Sequence, residues 1–106
     1  MLKIGDLSNL CNDENTAMTK HAKSRLADRG ITVEDIQNAI RTGEIIKQYE
    51  NDKPFPSCWV LGSNKHNKLI HVVASVDSGY LYIITAYYPD EDEWEGDFKS
   101  RRRQKS

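Results

Sequence analysis

The stretch "TKHAKSRLADRG", residues 19–30, sets His21 and Arg25 one helical turn apart and adds Arg29 before a glycine. At about 100° per residue, Ala22 and Leu26 define the buried stripe of such a helix, and His21 and Arg25 fall just off its edge. They are expected at the seam where helix meets sheet. The plain alternative is that they are boundary residues whose stems cover apolar surface. A second histidine, His71, interrupts the apolar run "LIHVVAS", where strand alternation places it on a face with Leu69, Val73 and Ser75. If "DSG" forms a three-residue hairpin loop with Gly79 left-handed, His71 falls opposite Thr85. A two-residue "SG" loop pairs His71 with Ala86 instead and moves Thr85 to the other face. Two histidines, an arginine and a hydroxyl suit metal-free RNA cleavage. One group takes the proton of the 2′-hydroxyl, another protonates the departing 5′-oxygen, and a cation offsets charge on the phosphate.

The elements that must position these groups are marked by caps and by a change of period. Thr19 is the N-cap of a first helix that Gly30 stops. In "ITVEDIQNAIRTG", Thr32 caps a second helix, Asp35 sits where a capping-box acid belongs, and Val33, Ile36 and Ile40 recur at three and four before Gly43. After Gly43 the period becomes two. Residues 44–50, 57–62, 68–76 and 80–88 are rich in β-branched and aromatic side chains, and short loops separate them. The expected fold is α+β, with two N-terminal helices packed on a four-stranded antiparallel meander. Before Thr19 the pattern is weak: "MLKI" reads as a short strand and "DLSNL" as one helical turn behind Asp6.

The chain has 106 residues, which is one small domain, and its 38% hydrophobic and 29% charged composition is that of a globular protein. No run spans a bilayer and the N-terminus lacks a signal-peptide core, so a cytoplasmic protein with no membrane partner is expected. Charge is near neutral over residues 1–88, with ten basic and ten acidic side chains. The end "PDEDEWEGDFKSRRRQKS" then runs six acids and five bases in succession. That pattern predicts a domain over 1–98, with Trp94 and Phe98 docked on it, and a mobile basic tail over 99–106. Arg101, Arg102 and Arg103 would hold phosphates or keep the end soluble, and any nucleic-acid contact must be local.

Other candidates carry less. Cys11, Cys58 and the histidines have no ligand spacing, so no metal is expected, and two cysteines without CxxC spacing read as reduced thiols. His66 sits in the loop "SNKHN". Trp59 reads as a core residue, and Tyr82, Tyr87 and Tyr88 as packing aromatics, Tyr87 sharing the Thr85 face. Gly43, Gly62 and Gly79 are isolated, so there is no nucleotide loop and no cofactor is expected.

Taken in order, "MTKHAKSRLADRGITVEDIQNAIRTGEII", "PSCWVLG", "LIHVVAS" and "IITAYYPD…W" resemble a small, largely uncharacterised family of bacterial and phage domains. Its pattern is a TKHA..R...RGI helix entry, an HVV strand and a TAY.P strand. That family is similar to the RelE, ParE and BrnT toxins, whose helices precede a four-stranded antiparallel sheet. The resemblance covers about residues 18–94 and implies a RelE-like fold. Its motif positions fall on His21, Arg25, Arg29, His71, Thr85 and Tyr87. It implies a metal-independent endoribonuclease, with His21 and His71 as the acid and base, Arg25 on the phosphate, Thr85 or Tyr87 orienting, and Arg29 on RNA. Ribosome-bound message and a cognate antitoxin are the partners such toxins take. A toxin-like module that binds protein or RNA without chemistry is the alternative.

Overall fold

A computed structural model describes residues 1–53 and 55–90. The expectations for Trp94, Phe98, residues 99–106 and Arg101–Arg103 lie outside the described residues.

Three helices come in chain order: α1 over Ile4–Asn9, α2 over Lys20–Asp28 and α3 over Val33–Thr42. The first was expected behind Asp6 but begins two residues earlier, where Lys3 flanks it without a side-chain cap, and it buries Leu7. No strand forms over residues 1–4; the Leu2 backbone is instead held by Gln48, whose side chain both accepts from the Leu2 N–H and donates to its carbonyl. At α2 the Thr19 hydroxyl accepts from the Ala22 N–H at 3.1 Å, and Gly30 takes φ +69°. The Ile31 N–H then closes the end by donating to the Leu26 carbonyl at 2.9 Å. Thr32 and Asp35 form a reciprocal capping box at α3, both bonds being 3.1 Å.

The strands are β1 (Thr16–Ala17), β2 (Glu44–Tyr49), β3 (Ser57–Ser63), β4 (Leu69–Asp77) and β5 (Tyr80–Tyr87), in the spatial order β1-β5-β4-β3-β2. From β2 to β5 each strand pairs antiparallel with its successor. The sheet is nevertheless five-stranded and mixed, because β1 pairs parallel with β5 through Thr16–Leu81 and Ala17–Tyr82. Two residues show no alternation, so nothing in the sequence marks them as a strand.

The core lies between the helices and one sheet face. Ile36, Ala39 and Ile40 of α3, Leu26 of α2 and Leu7 of α1 pack on Cys58, Val60, Ile70, Val72, Ala74, Leu81, Ile83 and Ala86. Helix α3 comes unusually close to β3 at Gly62, where an added Cβ would fall inside the Ala39 backbone. This glycine is required by proximity, with no positive φ involved. No described helix covers the opposite face, which carries Trp59, Leu61, His71, Val73, Tyr82, Thr85 and Tyr87.

Two outcomes check this architecture. Gly62→Ala must push α3 off the sheet and should cost about 2 kcal/mol or more, read as a lower urea midpoint with an unchanged slope. Asp35 is buried, which raises its pKa, but bonds from Thr32 and the Lys65 N–H, with the Lys65 charge, hold it below the usual carboxylate range. Its ionised form therefore stabilises the fold above the ordinary carboxylate pKa, and this contribution is lost as pH falls through the lowered folded value. Asp35→Asn should be less stable at pH 7, with the gap to the parent narrowing in urea melts as pH falls below the ordinary carboxylate range.

Candidate functional site

The β4–β5 turn uses two residues, Ser78 (φ +52°) and Gly79 (φ +81°), both left-handed as a type I′ turn requires. Asp77 pairs with Tyr80, and the register continues through Ala74–Ile83. Between Ala74 and Val73 it shifts: Val73 pairs with Thr85, and Ile84 is the extra residue of a β-bulge. His71 therefore pairs with Tyr87. Neither pairing read from the loop length is the one found, yet Thr85 and His71 do share a face, because the bulge offsets the shorter turn.

The ring of His71 has no exposed surface and sits between two aromatic rings. Trp59 stacks beside it at 6.0 Å between centroids, and Tyr87 meets it edge-on at 5.4 Å. The Tyr87 hydroxyl is 3.4 Å from His71 Nδ1. Trp59, expected in the core, lies half-buried on the face opposite the described helices because Cys58 and Val60 take the inward positions.

Arg29 joins the helix layer to this face. As the C-cap of α2 it reaches the β5 edge beyond the short β1 strand, where Nη1 donates to Thr85 Oγ1 at 3.1 Å and to the Ala86 carbonyl at 2.9 Å. The side chain is exposed, and its Nε and Nη2 donate to no acceptor among the described residues. A guanidinium fixed through one nitrogen and open through the others is ready to grip an anion.

The structure thus gathers Arg29, Thr85, Tyr87 and His71. His21 and Arg25 are exposed on α2, in the helix layer, while His71 belongs to the other face. The interval of four from His21 to Arg25 to Arg29 makes a row about 12 Å long down the helix. His66 is exposed in the β3–β4 loop. That loop is built on Asn64, which is buried; its Oδ1 accepts from the His66 and Lys68 N–H groups and its Nδ2 donates to the Tyr88 hydroxyl.

The cysteines offer no nucleophile. Burial pushes the Cys58 thiol up to about 11, and it raises Cys11 as well, where the Arg41 charge opposes the shift. Both are thiols at neutral pH. Among the described residues no three His, Cys, Asp or Glu side chains gather where one metal ion could bind.

Among known families, the one described as "Domain of unknown function (DUF4258)" matches residues 18–88. That span contains every residue of the cluster and of the α2 row. A search of curated proteins finds no match.

The Arg29–Thr85 bond is the joint between the layers, and its strength can be read directly. A double-mutant cycle with Arg29→Ala and Thr85→Val should give a coupling of about 0.5–1 kcal/mol in urea unfolding, small because the contact is exposed. A coupling near zero would mean that the two groups do not hold each other in solution.

Proposed function

The chain belongs to the DUF4258 family, and from that premise we propose that the sheet face opposite the described helices binds RNA and cleaves it without a metal. The observation that supports this most is the Arg29–Thr85–Tyr87–His71 cluster: an open guanidinium from the end of α2 beside a hydroxyl, a phenol and an imidazole on adjoining positions of two paired strands. In the proposed reaction Arg29 holds the scissile phosphate and Thr85 fixes the guanidinium. The 2′-oxygen attacks phosphorus as its proton leaves to solvent, and the bond to the 5′-oxygen breaks. Tyr87 protonates the leaving oxygen, His71 behind it steadies the phenolate, and the phenolate regains its proton from solvent. The products are a 2′,3′-cyclic phosphate and a 5′-hydroxyl. His21 and Arg25 extend the polar row on α2 and hold the strand beyond the scissile bond.

A RelE-like ancestry, a cytoplasmic setting, ribosome-bound message as substrate and a neutralising antitoxin belong to the same proposal, and the motif resemblance supports them. A binding module without chemistry is the second reading. One observation favours it: His71 has no exposed surface, so it reaches substrate only through Tyr87.

The test is cleavage of single-stranded RNA by purified protein in the presence of a chelator, with a DNA oligonucleotide of the same sequence as control. Cyclic-phosphate ends should form on the RNA and the DNA should survive. Tyr87→Phe keeps the ring but should slow cleavage by about a hundredfold with binding intact, as befits a proton-transfer group. Arg29→Ala should weaken both binding and rate. A Tyr87→Phe variant that cuts as fast as the parent removes the phenol from the reaction. Binding with no cleavage by the parent leaves the module reading in place.

A further inference from the structure

Three rings gather on the sheet face opposite the described helices, at the end nearest the β4–β5 turn. Phe55, from the β2–β3 loop, stacks on Tyr82 with 6.4 Å between centroids and 21° between planes, and Tyr80 meets Tyr82 at 6.3 Å. Phe55 is 38% exposed and Tyr80 45%, so the patch is open to a ligand. The loop nevertheless fixes its ring. The Ser57 hydroxyl donates to Asp52 at 2.5 Å and closes the loop around Phe55, while Ser75 donates to the neighbouring Pro56 carbonyl at 2.6 Å and pins it to β4. Asp52 and Lys53 belong to that loop, and Asp77 pairs with Tyr80. Two carboxylates against one ammonium give a phosphate no net attraction here, so the patch suits a flat, uncharged group.

Along β5 the outward positions run Tyr82, Thr85, Tyr87, because Ile84 is the bulge residue. Tyr82 is therefore one outward step, about 7 Å, from the Thr85 hydroxyl that holds Arg29. Tyr87 is one step in the opposite direction. From this arrangement we infer that the patch of Phe55, Tyr80 and Tyr82 takes the nucleobase immediately 5′ of the cut and prefers a purine there. The inference rests on the RNA-cleavage reading above and gives it a sequence preference. The side follows from the chemistry, since the attacking 2′-oxygen and the leaving 5′-oxygen stand in line across phosphorus. With the leaving oxygen toward Tyr87, the nucleotide that carries the 2′-hydroxyl lies toward Tyr82. Its phosphate stays on Arg29 and its base reaches the rings. A two-ring base covers more of them than a one-ring base, which is how stacking discriminates without hydrogen bonds.

Ribodinucleotides with uridine on the 3′ side and each of the four bases on the 5′ side are the probe, cut by the full chain in the presence of a chelator. The kcat/KM should be about tenfold higher for 5′ adenosine or guanosine than for cytidine or uridine, and exchanging the 3′ base should change it by less than about threefold. Phe55→Ser should lower the value for the adenosine substrate about tenfold, and Phe55→Tyr should keep it near that of the parent. A substrate abasic at the 5′ position should be cut about tenfold more slowly by the parent, and removing both the ring and the base should cost no more than removing either. A preference for the 3′ base, no base preference, or losses that multiply overturns the assignment. So does a changed sedimentation of Phe55→Ser, which would make the patch a protein interface. Dinucleotides with a 2′-O-methyl group in place of the attacking hydroxyl bind without reacting and separate the two proposals. A parent that cuts nothing but binds these with the same purine preference and the same dependence on Phe55 keeps the base site and loses the reaction; a parent that cuts with no 5′ preference keeps the reaction and loses the base site. A parent that neither cuts nor binds ends both.

Discussion

Strand β5 contains two apolar sequences that are out of phase, and the bulge at Ile84 is what allows both to be buried. Leu81 and Ile83 face the helices on odd positions, whereas Ala86 takes an even one. A regular strand would have to expose one set. Inserting one residue reconciles them, and Ile84 accordingly stands 49% exposed. The same insertion turns Thr85 and Tyr87 to the face of His71. Burial of the core and assembly of the polar cluster are therefore consequences of one local irregularity, which fits the frequency of bulges beside functional groups.

The helix layer depends on a comparable fit. Helix α3 is fixed at one end by the Thr32–Asp35 box and at the other by its contact with Gly62. Asp35 also accepts from the Lys65 N–H, and Asn38 donates to the carbonyls of Ser63 and Asn64. The β3–β4 loop is thereby tied to the first turns of α3, so that helix, loop and strand end share their polar groups. Helix α2 is held differently, by Leu26 in the core and Arg29 on the β5 edge, where the guanidinium fills a position that a longer β1 would have taken.

The helices were legible in the sequence because caps are local chemistry: a hydroxyl before an apolar period and a glycine after it specify ends without reference to the rest of the chain. The strand segments were legible from their composition. Their faces were less so, because Cys58-Trp59-Val60 and Ile83-Ile84 are continuous apolar runs in which alternation has no phase. Trp59 accordingly reads as core from the sequence. The bulge left no signal either, since an extra isoleucine among isoleucines changes no pattern, and the His71 partner was missed with it. The polar types of the site could be named from the sequence, but which of them meet is decided by one register shift and by the reach of one arginine.

The clip between Leu2 and Gln48 bears on how the protein behaves when crowded. Strand β2 ends the sheet, and the outer edge of such a strand is a template onto which another chain can polymerise. Here the Gln48 amide holds the backbone of the N-terminal segment beside β2, and an irregularity at Ile46 breaks the straight run of the edge. Met1 to Lys3 thereby cover part of that edge and leave another chain less of it to pair with. They occupy the edge without becoming a strand themselves.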